Sequence, residues 1–128
     1  MVSGEFCNFK VSGTPPAPRF GHTMAFLPTN NSLAIVGGRN DELSVVSNSP
    51  FLNEIYLFLL DQKCWLAVKY SVFSNRMDFT TNHSMAVVTD NESFEKILVF
   101  GGLANKIDKG EDKVGKVESC LCNQSYVI

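Results

Sequence analysis

Short apolar runs separated by turn-forming residues dominate the chain, and none of them calls for a helix. In the first half the pattern predicts four strands, over residues 22–26, 33–37, 54–60 and 65–69. Pro28, Thr29, Asn30 and Asn31 have the composition of a tight turn, so the first two strands are expected to form an antiparallel hairpin. Asp61, Gln62 and Lys63 play the same part between the third and fourth. Further along, residues 83–88 and 96–100 repeat the first pair, joined through Asp90, Asn91, Glu92 and Ser93. Residues 105–116 are rich in Lys, Asp and Gly without an apolar period, and read as an exposed, mobile loop. Residues 117–122 and 126–128 supply weaker closing strands.

The same pattern contains an internal repeat. Residues 32–38 (SLAIVGG) are echoed by residues 96–102 (KILVFGG), and residues 21–26 (GHTMAF) by residues 82–87 (NHSMAV). The glycine pairs lie 64 residues apart and the histidines, His22 and His83, 61 apart. Residues 39–51, where Gly, Asn, Asp, Ser and Pro replace the strand pattern, are the natural place for an insertion in the first copy.

Composition narrows the picture. A chain of 128 residues that is 45% hydrophobic can build a packed core. Its 13 acidic and 11 basic residues are interspersed, so no electropositive footprint for nucleic acid or anionic lipid is expected. No apolar run approaches the roughly 20 residues of a membrane-spanning helix, and residues 1–10 lack the basic start and apolar stretch of a signal peptide. The expectation is a soluble, cytoplasmic protein in which Cys7, Cys64, Cys120 and Cys122 are free thiols. Asn-x-Ser sequons at Asn30, Asn82, Asn91 and Asn123 would matter only in a secreted protein.

The segment Gly13-Thr14-Pro15-Pro16-Ala17-Pro18-Arg19-Phe20-Gly21-His22 is followed in order by Gly37-Gly38, Tyr56, Asp61 and Trp65. This ordered set resembles the signature of the kelch repeat, a unit of about 50 residues. The resemblance implies an all-β fold, a fragment of a kelch-type β-propeller with four-stranded antiparallel blades. Residues 1–18 would hold the outer strand of a preceding blade, over 6–11, and a Pro-rich entry. Residues 19–70 would form one blade, and residues 71–128 a second with a long charged loop and an irregular C-terminal part. The structural motif would comprise Arg19, Gly21, His22, Gly37, Gly38, Tyr56, Asp61 and Trp65, with His83, Gly101 and Gly102 in the second copy. That copy departs from the pattern: the Pro-rich entry is lost, Asn82 stands where Gly21 stood, and no tryptophan follows Gly102. Blades are apolar on both faces and need neighbours, and propellers close with about four to eight of them. The chain is therefore expected to belong to a longer polypeptide or to be completed by another subunit.

Little in the sequence points to catalysis. His22 and His83 occupy equivalent positions, which favours a structural hydrogen-bonded role over a catalytic or metal-binding one. Cys120 and Cys122 lack a second ligand pair at zinc-site spacing. The carboxylate pairs Asp41-Glu42 and Glu111-Asp112 sit in loop composition, where solvated charge is the rule, and no phosphate-cradling glycine loop occurs. No catalytic residue, cofactor or metal is expected. By the resemblance, protein partners would dock on the loops between the second and third strands and between blades. These are Arg39, Asn40, Asp41 and Glu42; Ser74, Asn75 and Arg76; and Asn105, Lys106 and Asp108. The implied function is a non-catalytic protein-binding scaffold, as in cytoskeletal and ciliary members of the family. The alternatives are a substrate receptor of a ubiquitin ligase, a permanently packed structural subunit, or a piece of a kelch-fold oxidase or sugar epimerase whose catalytic residues lie in other blades.

Overall fold

The computed structural model describes residue 4 and residues 8–47, 49–52, 54–68, 81–89, 94–106, 118–121 and 125–127. These are mostly antiparallel β-sheet. Strands β1 (Thr23–Leu27), β2 (Ser32–Val36), β3 (Ile55–Leu59) and β4 (Cys64–Ala67) form a four-stranded sheet in sequence order. β5 (Ser84–Thr89) and β6 (Glu95–Phe100) begin a second sheet, which β9 (Ser125–Val127) completes in the order β5-β6-β9. Between β6 and β9 the chain makes a separate two-stranded ribbon from β7 (Leu103–Lys106) and β8 (Glu118–Leu121).

Register shows how closely the two units correspond. Met24 pairs with Ile35, and Ile35 with Tyr56. In the second unit Met85 pairs with Val99, and Val99 with Tyr126. Thus β9 holds the place of β3, and the β7-β8 ribbon is inserted at the point of the unit where residues 39–53 are inserted in the first. Asn105 and Lys106, expected in a loop, lie on β7, because the polar run continues the backbone pairing begun at Leu103 opposite Leu121. The rest of that expected loop, with Asp108, lies outside the described residues. The insertion after β2 contains a 3-10 turn (Asp41–Leu43) and a one-turn helix, α1 (Ser44–Ser47), where no helix was called for. Of the expected outer strand at residues 6–11, the described part, residues 8–11, is not in a strand, and Ser12 makes a parallel bridge to Cys64 at the edge of β4.

Alternation sorts each strand into two faces. Leu27, Ala34, Val36 and Ile55 of the first sheet meet Ile97 and Val99 of the second in one buried cluster, with Leu57, Met85 and Val87 packed against it. This seam between sheets is the core of the described structure.

The corner leading into each unit needs a left-handed backbone. Gly21 has φ 65° and its counterpart Asn82 has φ 57°. Asparagine is among the few residues with a side chain that visit this region readily, which accounts for the replacement. Gly21 is further constrained, because a Cβ there would collide with Thr81 Oγ1 and meet Asn82 Oδ1 at 2.7 Å. Asn82→Ala is expected to lower stability by about 1 kcal/mol and Asn82→Gly to be nearly neutral. Gly21→Ala should cost more than either, and urea unfolding of the three variants checks the order.

Candidate functional site

Three clusters of side chains stand out. The first is built on Arg19, at the end of the Pro-rich entry. Its guanidinium donates from Nε to the Ala17 carbonyl at 3.0 Å, from Nη1 to the Gly37 carbonyl at 3.0 Å, and from Nη2 to Glu54 Oε2 at 2.8 Å. The Arg19 side chain is only 3% exposed and its Cζ lies 5.6 Å from the Tyr56 ring centroid. A charge so deeply placed is tolerable because three of its five donors are met by two carbonyls and a carboxylate. Arg19 thereby ties the entry segment to the glycine pair and to the strand carrying Tyr56. Gly38 belongs to the same corner, since a Cβ on it would lie 3.0 Å from His22 Cβ and 3.1 Å from the Phe20 carbonyl.

The second cluster is the insertion after β2, whose neck is closed by backbone pairing. Arg39 exchanges hydrogen bonds with Phe20 at 2.9 and 3.0 Å and bridges to Phe51, while Leu52 N–H donates to the Gly38 carbonyl at 2.9 Å. The Arg39 guanidinium lies 6.0 Å from the Phe20 ring and 5.6 Å from the Phe51 ring, and pairs with Asp41. Asn40 donates to the Pro18 carbonyl at 2.8 Å and accepts from the Glu42 N–H at 2.9 Å. Arg39 and Asn40 therefore brace the loop, and Asp41 and Glu42 are exposed on it. Beyond them α1 holds Val45 and Val46 in water, 85% and 86% exposed. Sequence reasoning passed over these two valines; the available signal was an apolar pair inside an otherwise polar insertion.

The third cluster joins the units. Thr23 Oγ1 lies 2.6 Å from His83 Nε2, and Asn82 N–H donates to the Gly21 carbonyl at 2.7 Å. The latter bond sets the entry to β1 beside the entry to β5. The Phe20-Arg39 and Thr81-Leu103 bridges are consequently neighbours, and the two insertions leave from the same end of the paired sheets. His83 is buried whereas His22 is exposed. The sequence made the two equivalent; their surroundings differ because a described sheet covers His83 and none covers His22. Thr23 went unnoticed as its partner, although Thr23 and Ser84 both supply a hydroxyl directly after a histidine.

The remaining motif residues make contacts of their own. Trp65 packs on Phe58 at 4.8 Å between centroids, and Phe58 in turn contacts Phe9 at 6.3 Å. Asp61, in the β3-β4 turn, accepts from Asn31 Nδ2, in the β1-β2 turn, at 2.8 Å. Gly101 and Gly102 have φ of 75° and 97°, matching the positive φ of Gly37 and Gly38. Cys64 carries a free thiol, while Ser74, Asn75, Arg76 and Cys7 lie outside the described residues. Among the described residues, no group of three His, Cys, Asp or Glu side chains is placed to hold a metal ion, and no helix is long and apolar enough to cross a membrane.

Thr23→Val keeps the shape of the side chain but removes the partner of His83 Nε2, and is expected to cost about 1–3 kcal/mol in urea unfolding. Thr23→Ser should retain most of the wild-type stability. No protein-family model matches the chain, and no curated protein matches it either.

Proposed function

We propose that this chain is a two-blade part of a kelch-type β-propeller that serves as a non-catalytic protein-binding scaffold. On this reading, a longer polypeptide or another subunit supplies the remaining blades. Support for the fold comes from a four-stranded antiparallel sheet in simple sequence order, repeated in matching register by the first three positions of a second sheet. The Arg19, Gly37 and Tyr56 corner supports it as well, since these three motif residues converge on one set of contacts.

The observation that carries the binding role is the insertion after β2. Its neck is braced by Arg39 and Asn40, and it displays two β-branched apolar residues almost fully to water beside exposed Asp41 and Glu42. A packed domain gains nothing for its own stability from this arrangement, and an exposed apolar pair with an acidic flank suits a protein surface that is apolar at its centre and basic at its rim. A cytoplasmic adaptor, of the kind found among cytoskeletal proteins, fits this design.

The experiment is a quantitative pull-down from cytosolic extract with the wild-type chain and a Val45→Asp/Val46→Asp variant. Proteins retained specifically by the wild type should fall by about tenfold or more with the variant, the effect of losing roughly 1.4 kcal/mol of binding energy. The melting temperature should be unchanged, since neither valine is buried. Equal recovery with both baits would remove the loop from the interface.

A further inference from the structure

The contact between the two sheets is asymmetric: it uses one face of the first unit and the opposite face of the second. The first unit contributes Thr23, Ala25, Leu27, Ala34, Val36, Ile55 and Leu57, and the second contributes His83, Met85, Val87, Ile97 and Val99. Strand alternation then fixes what lies on the far sides. The far face of the first unit carries His22, Met24, Phe26, Leu33 and Ile35, the counterparts, residue for residue, of the half contributed by the second. The far face of the second unit carries Ser84, Ala86, Val88, Leu98 and Phe100 as the counterparts of the β1-β2 part of the half contributed by the first, with Val127 and Ser125 in the places of Leu57 and Ile55. The β1-β2 parts of both halves are therefore present again, one at each end of the pair.

These outward faces are partly open: Ile35, at the centre of the first, is already buried at 9% exposure, whereas the positions nearer the edge are not. Met24 and Phe26 are 59% and 47% exposed on one, and Val88 and Phe100 are 41% and 54% exposed on the other. The segment before β1 covers the β3-β4 side of the first face through Phe9 on Phe58, and leaves the β1 side with His22, Met24 and Phe26 uncovered. An apolar sheet face of this kind is a site of association, and the chain itself displays the surface that fits it.

From this we infer that a second copy of the chain docks head to tail, its Ser84 face on the His22 face of the first. In that contact the Ser84 hydroxyl meets the His22 imidazole, as the Thr23 hydroxyl meets that of His83 at 2.6 Å. The Gly21 N–H likewise meets the Asn82 carbonyl of the other copy, as the Asn82 N–H meets the Gly21 carbonyl within one chain. The interface is heterologous, so repeating it generates a ring or an open array rather than a self-limiting symmetric dimer. The inference rests on the sheet pairing and is independent of the binding role given to the insertion after β2.

Sedimentation velocity over a concentration series tests it. The wild-type chain should rise to at least twice the monomer mass. Met24→Glu and Val88→Glu, each placing a carboxylate on one exposed face, should each abolish association. Mixed in equal amounts, the two variants should form a 1:1 dimer and nothing larger, because one intact half remains on each. His22→Ala should weaken association about two- to tenfold, the loss of one hydrogen bond. Val45→Asp/Val46→Asp should associate as the wild type does. A wild-type chain that stays monomeric at every concentration overturns the inference, as it would if the open faces await other units of a longer polypeptide. So does an unaltered association of either glutamate variant, or a mixture that stays monomeric while both variants keep the wild-type near-ultraviolet spectrum of Trp65.

Discussion

A β-sheet that is apolar on both sides cannot hide itself, and the described structure is organised around the one place where two such sheets hide each other. The seam formed by Leu27, Ala34, Val36 and Ile55 against Ile97 and Val99 removes apolar side chains from water on both sides at once. Nearly everything else in the structure holds these two faces in register. The Thr23-His83 hydrogen bond lies at one end of the seam, and directional bonds of this kind prevent the sliding that apolar contact alone would allow.

The corners before β1 and β5 perform the same service for the backbone. Each turns the chain through a left-handed residue, Gly21 or Asn82, and each is pinned by a bridge to the residue that begins the insertion after the second strand, Phe20 to Arg39 and Thr81 to Leu103. The insertions are thus anchored at the tightest part of the fold. An insertion held at its neck by backbone hydrogen bonds and by a guanidinium between two aromatic rings can vary at its tip without disturbing the sheets. This division of labour is what the proposed scaffold role requires: the sheets set the geometry, and the tip carries the recognition. Arg19 makes the division sharper in the first unit, since its buried charge joins the entry, the glycine pair and Tyr56 into a single corner.

The two units are unequal, and the inequality is physical. In the second, the sheet stops at three described strands and the inserted segment pairs with itself as a ribbon. Alternation kept the equivalents of Met24 and Ile35 on one face, so the docking half survived the changes downstream. The histidines illustrate the same point, since identical residues at equivalent positions differ in burial according to whether a sheet lies over them.

Much of this was legible in the chain itself. Short apolar runs bounded by Pro, Asn, Asp and Gly located the strands β1 to β6 to within about two residues, because those signals act over a few residues and need no tertiary partner. The repeat was legible as well, since it is a match of residue types along the chain. The partner of His83, the helical turn that exposes Val45 and Val46, and the placement of Asn105 and Lys106 on a strand were not legible. Each depends on what another part of the chain offers across space: a hydroxyl 60 residues away, a neck that holds a loop outward, an edge at residues 118–121 that accepts a polar strand. The sequence alone determined that the segments of β1 to β6 form sheets and which of their positions are apolar. Only the tertiary structure decided which of those positions are covered, because burial belongs to pairs of surfaces and the side chains of one strand cannot specify it.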